Sequence, residues 1–453
     1  MGSNIDALTT IFTEFYYFVT VVFMFFIHIG FCVYEVGAAR RRNHMHTLMK
    51  NTMLIPLVTV TFFFFGWWIY FALPNFPFGA IDFAAGAPYT PWAETMGTNL
   101  GDHLTGVFWA AFLLFSWTAA SIVSGACIER IKTSAFLIHA VLIGSVFWII
   151  DAAWGWHFGG WMVKYLGYHD AYASGVIHAI AGGYALGILM VLGPRLGKFA
   201  KDGTPRDIPP HNPWLVTIGF FLIYAGFWGF YAACNVPIIS PEVIGGEITG
   251  VTWTATNIYL APTTLSAITF NFLMSLSGGL MVAYLVSKGD AFWTYSGGLA
   301  GIITASAGND LYHPIQAMLI GGFGAYCAFK LHGYVERRFK IDDAVGAVAV
   351  HGYAGFIGVV ICGFMLWGAP SSPFEGYATI SPWGQLIGAI IMFGLLGFLP
   401  GYLVSKLLQS RGMLRIPAAV ELRGLDAMTT VQYENAVADV QAAEKAILNE
   451  QPK

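Results

Sequence analysis

The chain is a succession of apolar runs, each about as long as a lipid bilayer is thick, and this limits what it can become. A spanning helix needs roughly 20 mostly apolar residues, and only helices and closed barrels satisfy their backbone polar groups inside hydrocarbon. Eleven runs qualify, at 12–34, 51–73, 103–127, 133–154, 171–193, 214–234, 257–286, 292–308, 313–332, 345–367 and 383–408. Only 10% of residues are charged, against about 25% in soluble domains. The expected fold is an all-α polytopic membrane protein with eleven transmembrane helices, its partner the lipid bilayer. A net charge of −3 gives no sign of nucleic-acid binding. The first run lacks the basic flank of a cleaved signal and reads as a retained span.

Orientation follows from the basic residues, which favour cytoplasmic loops. With the N-terminus outside, all of the 22 Lys and Arg residues except Lys164 fall in inner loops or the tail. One missed or invented span would destroy that asymmetry partway along the chain. The expected location is the cell membrane, N-terminus outside and C-terminus cytoplasmic. Residues 1–408 then form the membrane domain and 409–453 a cytoplasmic tail. Within the tail, 427–450 has helical composition and is either a coupling helix or a solvated end. Outer loops 74–100 and 235–252 hold no Lys or Arg.

Two spans carry a histidine well inside. His178 sits in DAYASGVIHAIAGGYALGILMVLGPR, Asp170–Arg195, and His351 in DAVGAVAVHGYAGFIGVVICGFMLW, Asp343–Trp367. An Asp precedes each by eight residues. An ionisable group inside a span marks a functional site by default. Spans 5 and 10 run in opposite directions, so spans 1–5 and 6–10 form an inverted repeat, with span 11 added and both histidines near the midplane. Asp170 is expected to cap span 5 and oppose its dipole. Spans 5, 8 and 10 are rich in Gly, which lets helices approach closely in lipid, and should lie inside. His28, His139 and His332 show no acidic spacing for a metal site and read as packing residues. The five cysteines share no CxxC spacing and predict neither metal site nor disulfide. Away from the two histidines no nucleophile, base and oxyanion group converge, so no enzyme and no cofactor are expected.

GVIHAIAGGYALGILMVLGPR, DDAVGAVAVHGYAGFIG, GACIERIKTSAFLI, SGGLAGIITASAG and the tail's ELRGLD together resemble the ammonium transporter (Amt/Mep/Rh) family. The resemblance implies a homotrimer with one pore per subunit, carrying ammonium or ammonia. It places ammonium recruitment at Phe115, Trp156 and Cys234, beneath which Phe115 and Phe230 form a gate of stacked rings. His178 and His351 match the pore's twin histidines, and Asp170 matches an Asp near the outer site. Three positions depart from the family pattern. Cys234 stands for a Ser, Tyr231 for an Asn, and Gly346 for an Asp five residues before the second histidine. The implied function is transport: ammonium binds aromatic faces by cation–π attraction, loses a proton because a bare cation in an apolar lumen is too costly, and crosses as ammonia along the histidines. The alternative is an ammonium sensor that conducts little and reports through the tail helix to a cytoplasmic signalling or regulatory protein.

Overall fold

The computed structural model of the chain describes residues 2–98, 101–244 and 247–427. Among these, nine helices are long and apolar enough to cross a membrane. They are α1 (Ala7–Ala38), α2 (Arg41–Ala72), α3 (Thr105–Ala126), α4 (Thr133–Gly155), α5 (Ser174–Leu192), α6 (Pro213–Ala233), α7 (Leu265–Val286), α10 (Val348–Met365) and α11 (Pro382–Ser410). The eighth and ninth sequence runs also form helices, α8 (Ala291–Ala305) and α9 (Pro314–Phe339). The first is only 15 residues long, and the second ends in a charged turn holding Glu336, Arg337 and Arg338.

Local chemistry fixes where these helices start. Asn212 accepts from the amides of Trp214 and Leu215, with Pro213 in the first turn of α6. Thr264, Asp290 and Ser381 cap α7, α8 and α11 in the same way. Each cap satisfies amides that would otherwise be orphaned.

A hairpin corrects the all-α expectation. β1 (Asn235–Ile244) pairs antiparallel with β2 (Glu247–Asn257), Asn235 opposite Asn257. Span 7 consequently starts at Leu265, not at residue 257. The sequence signal was present, in β-branched runs on either side of Gly245-Gly246. The tail helix expected at 427–450 falls outside the described residues.

The interior is built on bare backbone. A Cβ added at Gly182 of α5 would lie 2.2 Å from the backbone of Gly352 in α10. At Gly355 it would lie 2.1 Å from the Ser174 carbonyl, and at Gly358 2.3 Å from the Thr304 carbonyl of α8. Helices α5, α8 and α10 are therefore the inner ones, as their glycines suggested. Expected outcome: Gly182→Val lowers the melting temperature in detergent, a loss of about 1–3 kcal/mol from overpacking. Gly394→Ala, where an added Cβ meets nothing within 4 Å, leaves it unchanged.

One end of the bundle carries the basic loops, the other the aromatic ones. At the basic face, buried charges form a lattice. Arg195 donates from Nε and Nη2 to the two carboxylate oxygens of Asp342, both at 2.9 Å. Arg130 donates to the Asp342 carbonyl and lies 3.9 Å from its carboxylate. Glu129 pairs with Arg40 at 2.7 Å. The tail closes over this lattice: Glu421, 1% exposed, pairs with Arg415 at 2.8 Å and accepts from the Leu196 amide. Asp426 accepts from the amides of Met45 and His46 at the start of α2.

Burial works to raise the Asp342 carboxyl, but Arg130 and Arg195 outweigh it and hold the group well below the usual carboxylate range. A depressed folded pKa adds stability that is complete above the unfolded value and is lost as pH falls through the folded one. The melting-temperature gap between wild type and Asp342→Asn should therefore be constant from neutral pH down to about 4 and close only below it. At neutral pH removing this buried partner is expected to cost about 3–5 kcal/mol.

Candidate functional site

His178 and His351 arise from the same local device, used twice. Asp170 Oδ1 accepts from the Ser174 amide, and Oδ2 from the amides of Gly175 and Val176, at 2.7–2.9 Å. Asp343 Oδ2 accepts from the amides of Val348 and Ala349 at 2.9 and 3.2 Å. Five residues before each histidine the backbone turns left-handed, at Ala173 (φ 73°) and Gly346 (φ 71°). That turn favours glycine, which accounts for Gly346 where the resemblance led one to expect Asp. Each histidine then lies in a π-helical turn, Ser174–Ala179 or Val348–Tyr353. Such turns concentrate at functional sites.

The Gly182–Gly352 contact brings the imidazoles together, Nδ1 to Nδ1 at 3.0 Å, one ring donating and the other accepting. Their planes are 24° apart, and both rings are buried. Toward the aromatic face, Phe227 and Phe230 lie over His178 at 5.9 and 5.7 Å. Phe115 meets Phe230 at 4.7 Å and Trp156 at 5.0 Å. The Phe115–Phe230 rings are 85° apart, edge to face and not stacked. This is the arrangement the ring quadrupoles prefer. Toward the basic face, Phe31, Ile122, Val345 and His351 line an enclosed space of about 10 Å³, about one water's worth of room. Beyond it a wider cavity of about 490 Å³ opens among Arg195, Trp293, His332 and Asp343.

The remaining sequence candidates sit around this row. Trp156 donates from Nε1 to the Asp170 carbonyl at 2.7 Å, which fixes its ring over Phe115. Cys234 is buried at the end of α6, and its thiol donates to the Phe230 carbonyl at 3.4 Å. Asp170 caps α5 as expected. Burial pushes its carboxyl up, while the three amides and the Tyr168 hydroxyl pull against that. Tyr231 faces the scaffold: it stacks on Tyr172 at 4.4 Å and hydrogen-bonds Ser306 and Asn309.

Sequence reasoning missed several groups. His332 does have acidic neighbours, Glu336 at 4.0 Å and Asp343 at 3.8 Å. Its helix runs on to Phe339, two turns past the span end expected at residue 332. His169, buried between Asp310 at 3.1 Å and Ser371 at 3.1 Å, anchors the aromatic end, and Asn257 ties the hairpin to the same Asp310 at 2.7 Å. Asp151, inside α4, is fully buried. The rule that flagged His178, an ionisable group within a span, would have found it.

The profile of the Ammonium Transporter Family matches residues 15–434. The chain is 32% identical over 440 residues to ammonium transporter Amt2 of Archaeoglobus fulgidus, covering 91% of this chain and 86% of that protein. It is 30% identical over 430 residues to Amt2 of Methanocaldococcus jannaschii, covering 94% and 92%. Among solved structures, a sensor Amt protein superposes with a TM-score of 0.75 at 22% identity, covering 93% of this chain and 98% of that one. Candida albicans Mep2 does so with a TM-score of 0.68 at 16% identity, covering 89% and 86%. A multi-pass membrane protein of this fold, matched over nearly its whole length, belongs to the ammonium transporter family, whose members are transporters and not enzymes.

Proposed function

We propose that the chain moves ammonium nitrogen across the membrane by taking up the cation at the aromatic face, stripping a proton there, and passing ammonia along the paired histidines. The observation that carries this reading is the continuous row Trp156, Phe115, Phe230, His178, His351, which leads to an apolar constriction and then to the wide cavity at the basic face. The aromatic rings favour a cation at the mouth by about 0.5–2 kcal/mol per contact. The interior supports only a neutral guest, since an unpaired charge there costs far more. Ammonia has the donors and the lone pair that the two imidazoles can use. Potassium has no proton to shed and is excluded on the same energetic ground.

In this reading the aromatic face is outside with the N-terminus, and the basic face and tail are cytoplasmic, in keeping with the positive-inside rule. Helices α8 and α9 complete eleven spans, α1–α5 and α6–α10 are the halves of an inverted repeat, and residues 1–408 form the membrane domain ahead of the tail. The capped turns at Asp170 and Asp343 support the repeat. The assembly is a homotrimer with one pore in each subunit, as the family resemblance implies.

A second reading, ammonium sensing with little conduction, draws on one observation. Cys234 offers the mouth a weak thiol already turned onto the Phe230 carbonyl, where a hydroxyl would bind a cation better. Proteoliposomes given an ammonium step decide between them, read by transient current and by internal pH. Robust signals that His178→Ala abolishes are expected. Ammonium-induced thermal stabilisation with neither signal would establish sensing instead. Trp156→Leu is expected to weaken apparent ammonium affinity about three- to thirtyfold, the loss of one cation–π contact, as read by the concentration dependence of the signal. Unchanged affinity would put the recruitment site elsewhere.

A further inference from the structure

Asp151 is a carboxylate in the middle of a span, and the scheme above leaves it without a task. It lies in α4 one turn after Trp148 and one turn before Gly155 and Trp156. Its side chain is fully buried, and neither oxygen has a hydrogen-bond partner among the described residues. Its neighbours locate it beside the mouth. Trp148 packs on Phe112 and Phe115 at 6.1 and 6.5 Å. At Gly155, one turn on, an added Cβ would touch Tyr168 and Met392. The titratable groups whose charge acts on it or feels it are Asp170 and Tyr168, and Tyr168 also bonds Asp170 Oδ2 at 3.2 Å. No cation is among them. An unpaired carboxylate in such a place is expensive, and Leu or Val would fill the site without that cost.

Deprotonation at the mouth needs an acceptor, and the candidates are not equal. Asp170 has both oxygens occupied by the amides that start α5, so protonating it would loosen the helix that carries His178. The histidines lie below Phe230, beyond the point where a cation is tolerated. Asp151 has its lone pairs free and sits level with the aromatic mouth. We infer that Asp151 is the proton acceptor of the entrance, taking the proton that ammonium sheds as it passes Trp156 and Phe115. One N–H bond of ammonium breaks and its electron pair stays on nitrogen, giving ammonia. The proton forms an O–H bond on the Asp151 carboxylate. One positive and one negative charge become two neutral groups, so both desolvation costs disappear in a single step. The acid must give its proton up again before the next ion arrives, which ties turnover to pH.

This inference rests on the reading of the aromatic end as the way in for ammonium, and the test separates the two. The full chain is reconstituted and studied by infrared difference spectroscopy on adding ammonium chloride, with sodium chloride as blank. A protonated-carboxyl band is expected in the wild type, absent in Asp151→Asn and shifted in Asp151→Glu. In proteoliposomes, Asp151→Asn is expected to reduce the ammonium-evoked flux on the order of tenfold or more and to flatten its pH profile, while Asp151→Glu restores part of both. The absence of an ammonium-induced band in the wild type overturns the assignment, as does its persistence in Asp151→Asn. The spectrum needs no conduction, so a wild type that shows the band and no flux keeps Asp151 as the acceptor and removes the transport reading. A wild type with flux but no band does the reverse. Equal melting temperatures of wild type and variants show that folding is not what changed.

Discussion

The arrangement depends on two helices meeting where neither has a side chain. Gly182 and Gly352 put the backbones of α5 and α10 in contact, and only at that separation do the imidazoles of His178, one turn before Gly182, and His351, the residue before Gly352, reach 3.0 Å. In lipid no hydrophobic force pulls helices together, so packing of small residues and polar contacts must hold them. The same residues thus decide both stability and the position of the histidines. Methyl groups inserted into this seam would separate the rings before they unfolded the bundle.

What the sequence disclosed, and what it hid, divide along a physical line. Spans are legible because hydrocarbon leaves the backbone few options. The Asp caps and the histidine pair are legible because a short period in the chain, Asp then His eight residues on, encodes them locally. The hairpin is harder to see, because its strands hold Pro237 and Pro241 among the β-branched residues, and Pro reads as loop. The acidic partners of His332 lie beyond the span expected at 313–332, since the helix continues to Phe339 and carries Glu336. The edge-to-face angle of Phe115 and Phe230 was hidden for a different reason. It depends on how α3 and α6 cross, and no single stretch of sequence records that.

Charge is distributed to suit the same constraint. The basic face collects Arg40, Arg130, Arg195 and Arg415 against Glu129, Asp342 and Glu421, with nearly every member paired. Losing one partner there strands another buried charge, so the loops and tail residues 411–426 behave as one unit. The same pairing reaches into the bundle. Glu35 and Lys50 are buried 3.6 Å apart and serve to join α1, α2 and α3 through Asn51 and the Ser124 hydroxyl and carbonyl. Such a pair is weak evidence for added stability but good evidence for a fixed register.

Against that background the two carboxylates near the aromatic mouth differ in kind. Asp170 resembles Asp342 and Glu129: its oxygens are occupied, and its job is to hold a helix end. Asp151 has no partner among the described residues, in a protein that elsewhere pairs buried charges. Pairing removes the freedom to bind a proton reversibly, since each bond to the charged form must be given up when the proton arrives. A group meant to gain and lose a proton on every cycle must therefore be left under-bonded. The stability sacrificed at Asp151 is then what reversible proton uptake requires.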